Sequence, residues 1–140
     1  MLDTLSYQVE LSVSYEQAVE TDTEALKQEG FGVLTDVDIR ATLKEKLDVD
    51  FRRYTILGAC NPPLAHQALQ NEPLVGLLLP CNVTVEETED GVLISLVNPE
   101  AMLAVGDLAQ NEKIGKVAEE ARARLERVSA SLAQRGRIAA

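Results

Sequence analysis

A chain of 140 residues, 46% of them hydrophobic, can bury one continuous core without disulfides or metals, so one domain spanning residues 1–140 is expected. Thirteen Lys and Arg against 23 Asp and Glu give a net charge of −10, a field that repels phosphate backbones and argues against nucleic acid as a partner. The N-terminus lacks the cationic start and apolar run of a leader, and no later stretch approaches the ~20 apolar residues of a membrane span. A cytoplasmic protein with no membrane partner is therefore expected, its two cysteines reduced.

In chain order, Leu5, Tyr7, Val9, Leu11 and Val13 alternate with more polar residues, the period of a strand with one buried face. Ser14 and Gln17 have capping-box spacing before a helix carrying Ala18, Val19, Ala25 and Leu26, which Gly30 ends. A strand over Phe31–Val37 follows. Asp38 then caps a short helix whose Ile39, Leu43 and Leu47 are expected to turn one stripe toward the sheet, and which Asp48 and Asp50 end. Phe51–Ala59 reads as a strand, and Asn61-Pro62 as the cap and first turn of a third helix, reaching Leu69 or Gln70.

The run Leu74–Leu79 predicts a central strand interrupted at Pro80. Val83 and Val85, the Glu89-Asp90-Gly91 turn and Val92–Val97 predict a hairpin, and Asn98-Pro99 closes the sheet. Asn111 caps a long helix in which Ile114, Ala118, Ala121, Leu125, Val128 and Leu132 form a heptad seam. That seam suits either the chain's own sheet or a helix in a second subunit. Residues 112–140 carry seven basic and four acidic groups, residues 1–111 six and nineteen, so the C-terminal helix is suited to an acidic body.

Four runs in order, Glu29-Gly30-Phe31-Gly32-Val33-Leu34-Thr35, Ala41-Thr42-Leu43-Lys44, Tyr54-Thr55-Ile56-Leu57-Gly58-Ala59-Cys60-Asn61-Pro62 and Gly76-Leu77-Leu78-Leu79-Pro80-Cys81-Asn82-Val83, strongly resemble domain-of-unknown-function family 302. The resemblance covers roughly residues 7–103. It implies an α+β fold like that of the TATA-binding protein, a curved antiparallel sheet with helices on one side, and commonly a homodimer. It brings no established reaction and leaves the cofactor unknown.

Chemistry points to two Cys-Asn pairs, Cys60-Asn61 and Cys81-Asn82, each at the end or break of an apolar strand. If the pairs converge, Cys60, Asn61, Cys81 and Asn82, with the lone His66 nearby, would border a pocket for a small molecule. The alternative is a redox or nucleophilic site, with Cys60 activated by the third helix's N-terminus, Cys81 as resolving thiol and His66 as base. A purely structural dimer is the third reading. Cysteine is also simply a small apolar residue at strand ends, and Asn61 and Asn82 serve equally as caps. Two cysteines and one histidine fall short of the four ligands of structural zinc, so no metal is expected. Gly30 and Gly32 lack a phosphate-loop pattern, Arg52-Arg53 read as ion-pair partners, and the acidic tip Glu86–Asp90 as a solvated turn.

Overall fold

The computed structural model describes residues 4–139. The elements are β1 (Ser6–Leu11), α1 (Tyr15–Gln28), β2 (Gly32–Asp38), α2 (Ile39–Leu47), β3 (Tyr54–Cys60), α3 (Pro62–Asn71), a 3-10 segment Pro73–Leu78, β4 (Cys81–Glu87), β5 (Val92–Val97), α4 (Pro99–Met102), a second 3-10 segment Gly106–Gln110 and α5 (Glu112–Ala139). The strands form one open sheet in the order β1-β5-β4-β3-β2, with every neighbouring pair antiparallel. This is the predicted α+β class.

Alternation assigns the sheet's two faces. Val9 and Leu11 on β1, Val92, Ile94 and Leu96 on β5, Val83 and Val85 on β4, and Leu57 and Ala59 on β3 are buried together with α1 and α5. Each closely packed aliphatic group of this kind contributes roughly 1.5–3 kcal/mol relative to exposure. The seam Ile114, Ala118, Ala121, Leu125, Val128 and Leu132 is buried within this one chain. The reading of that seam as an interface between subunits is thereby overturned: its own chain already covers it, the sheet and α1 over Ala121, Leu125, Val128 and Leu132, and Ala68, Val75 and Leu103 with Ile114 and Ala118.

The capping chemistry follows the sequence closely. Ser14 and Gln17 form the reciprocal capping box, and Asp38, Asn61 and Asn111 accept first-turn amides of α2, α3 and α5. α1 ends in a Schellman motif: Phe31 N–H donates to the Leu26 carbonyl (2.9 Å) and Gly30 N–H to Lys27 (3.0 Å). Gly30 adopts φ +85°, which glycine takes without strain.

Two predictions need correction. Leu74–Leu79 is no strand: Pro73 opens a 3-10 segment, the Glu72 carboxylate caps it by accepting from Leu74 N–H (2.9 Å), and the first strand of the hairpin starts only at Cys81. Its apolar residues divide, Val75 buried but Leu77 82% exposed, a pattern that a short apolar run does not disclose. The α2 stripe also fails as a core-facing surface. No α2 residue is fully buried, Leu47 is exposed, and β2 beside it carries exposed Leu34 and Val37. Among the described residues no helix is long and apolar enough to cross a membrane.

Candidate functional site

β3 and β4 bring the two cysteines into neighbouring positions. Ala59 is paired with Cys81 and Gly58 with Asn82, so Cys60 lies one step beyond the pair that contains Cys81. The close approach here needs glycine: a β-carbon on Gly58 would strike the Thr35 hydroxyl and the Pro80 ring. Cys60 and Cys81 then border one hollow of about 40 Å³, roofed by Leu64, Ala65 and Ala68 of α3, Met102 of α4 with Leu103 just beyond it, and Val117 and Ala121 of α5. At 10–15 Å³ for each water-sized occupant, it has room for a ligand of a few heavy atoms. Its walls are almost wholly carbon and sulfur.

Asn61 is the polar residue at the rim, and each end of its amide has a partner. Its Oδ1 accepts from Leu64 N–H (3.3 Å) and its Nδ2 donates to the Glu29 carbonyl (3.5 Å). Arg124 of α5 donates to the same carbonyl (3.1 Å), so α1, α3 and α5 are tied at one point. A β-carbon on Gly30 would come within 2.9 Å of the Asn61 amide nitrogen, a second reason for glycine there. Asn61 therefore caps and ties, the structural role that its type and position allow.

Neither thiol is activated. Burial raises the Cys60 thiol above its ordinary range. Burial, and then the charge of Cys60, push Cys81 up to about 11. The helix N-terminus beside Cys60 was expected to do the reverse. It does not, because Pro62 and Pro63 bring no N–H to the first turn, while Leu64 N–H is taken by Asn61 and Ala65 N–H by the Asn61 carbonyl.

The family model described as "Domain of unknown function DUF302" matches residues 7–132. The chain belongs to the DUF302 family. It is similar to the crystal structure of an uncharacterized conserved DUF302 protein from Bacillus stearothermophilus, with a TM-score of 0.81 and 29% identity over 91% of this chain and 98% of that one. No curated protein matches the chain.

Of the five residues singled out in this DUF302 domain, the fold brings Cys60, Asn61 and Cys81 together and leaves two outside. Asn82 is exposed and borders a shallow depression on the sheet's opposite face, with Gln8, Tyr54, Thr84 and Ser95, because alternation turns it away from Cys81. His66 is exposed on α3 and does not line the hollow. The hollow thus lacks the imidazole that a thiol nucleophile would need.

Sequence reasoning missed the groups that close the site from above, Leu64, Met102 and Val117, which lie on three helices and carry no local signal. It also passed over Asp22, which stands four residues from both Ala18 and Leu26 on the buried side of α1. Asp22 is wholly inaccessible, neither carboxylate oxygen has a partner, and burial alone raises its pKa to about 7. Its spacing within the apolar stripe was the available signal.

Proposed function

We propose that this DUF302 domain is a small-ligand binding module, with the hollow beneath Cys60 and Cys81 as its site. One observation supports this most: five elements converge on space that their apolar side chains leave unfilled, whereas protein interiors ordinarily pack to crystal-like density. The neutral thiols and the absence of His66 from the site favour binding over cysteine catalysis or redox sensing. Xenon, which enters dry apolar cavities, is the test probe. Under xenon pressure, methyl shifts confined to Met102, Leu64 and Leu103, and lost in Ala65→Leu, are expected; shifts spread over the surface, or unchanged by Ala65→Leu, would contradict the proposal.

Pairing with a second copy is also proposed, through the β2–α2 arm rather than the α5 seam. Leu34, Val37, Leu47 and Val49 are all exposed there, β2 is an edge strand carrying Asp36 and Asp38, and α2 carries Arg40 and Lys46, so a two-fold partner can set opposite charges across the contact. Sedimentation equilibrium should give a dimer for the native chain and a monomer for Leu34→Glu with Leu47→Glu. A native monomer, or a dimer that the double variant leaves intact, would count against this surface.

A further inference from the structure

We infer that the ligand of the hollow is a soft monovalent metal ion, Cu(I), held by the sulfur atoms of Cys60, Cys81 and Met102. The inference rests on the reading of the hollow as a binding site and names the class of ligand that site takes.

Three sulfur-bearing side chains from three elements border the same small space: Cys60 at the end of β3, Cys81 at the start of β4 and Met102 at the end of α4. The strand register places the two cysteines one step apart across β3 and β4. No oxygen or nitrogen ligand competes at the rim, since both ends of the Asn61 amide are already bonded and His66 is exposed elsewhere. Among the described residues no three His, Cys, Asp or Glu side chains cluster in a way that could hold an ion, so zinc, magnesium and calcium have no suitable set of ligands. Thiolate with thioether is the donor set that selects Cu(I).

Charge sets the stoichiometry. An apolar hollow takes a neutral group far more readily than an ionic one. Cu(I) entering with loss of one thiol proton gives a metal bound by one thiolate, one thiol and one thioether, with no net charge. The proton leaves from Cys60, the more accessible of the two thiols, and passes to solvent. No electron moves, so the step needs no oxidant or reductant.

The full-length chain is titrated with Cu(I) without oxygen, in competition with bicinchoninate, and the released protons are counted. One copper and one proton per chain are expected. Cys60→Ala and Cys81→Ala should each weaken binding more than about tenfold, and Zn(II) should not compete. Met102→Leu preserves apolar volume and should leave the xenon response intact while weakening copper about tenfold, a separation that packing alone cannot produce. If Cys81→Ala fails to fold, Cys60→Ala and Met102→Leu still decide. No stoichiometric copper, equal affinity in Met102→Leu, or only a mass loss of two hydrogens from an internal disulfide would each overturn the inference. Xenon shifts without copper binding would defeat the metal alone, whereas loss of both responses would defeat the site.

Discussion

Cys60-Asn61 and Cys81-Asn82 have the same composition and lie at facing ends of neighbouring strands, yet only the first keeps both residues at the hollow. Cys60-Asn61 ends a strand and starts a helix, so alternation no longer applies and both residues stay on the helix-covered side. Cys81-Asn82 starts a strand, and alternation sends the thiol inward and the amide to the open face. The burial of a polar group and the partners it finds thus depend on the backbone period at that point, more than on the residue itself.

The largest effect should come where burial finds no partner at all. Asp22 retains its proton up to about pH 7 in the folded chain, whereas an unfolded aspartate loses it near pH 3.9. Between those values the folded state binds more protons, so stability falls as pH rises through the window and levels off above it. The loss is about 4 kcal/mol. Asp22→Asn should abolish this slope, matching the native chain near pH 4 and exceeding it by several kcal/mol at pH 8, as read by urea unfolding across pH. A native chain with level stability from pH 4 to 8 would mean that Asp22 has found a partner.

The two asparagines sharpen the comparison at smaller scale. Asn61→Ala removes a cap and the tie to Glu29 and should cost about 1–2 kcal/mol. Asn82→Ala, at an exposed position, should stay within about 0.5 kcal/mol. Equal losses in chemical denaturation would mean that the open face carries structure not evident from its exposure.

The thiols should differ in rate rather than stability. Iodoacetamide should modify Cys60 before Cys81, each only at pH above the ordinary thiol range, with the Cys81 midpoint near 11. Rapid alkylation of Cys60 at pH 7, followed by mass spectrometry, would instead revive the activated-thiol alternative.

Most of the fold was legible because it rests on local chemistry. Ser14 with Gln17, Asp38, Asn61 and Asn111 mark four helix starts, Gly30 marks an end, and the strands of the hairpin alternate. Leu74–Leu79 was misleading because a six-residue apolar run has no period that separates strand from helix, and the deciding groups, Glu72 and Pro73, precede it. The site was legible in half. Two cysteines at strand ends announced themselves, but Met102 and Leu64 reach the hollow only through tertiary packing, and the direction in which Asn82 points depended on where β4 begins.

The most direct test is a crystal structure of this chain determined under xenon pressure. Density for one xenon atom enclosed by Cys60, Cys81 and Met102, with the surrounding backbone unmoved, is the predicted result. A hollow closed by side-chain rearrangement, with xenon bound only elsewhere, would contradict the account.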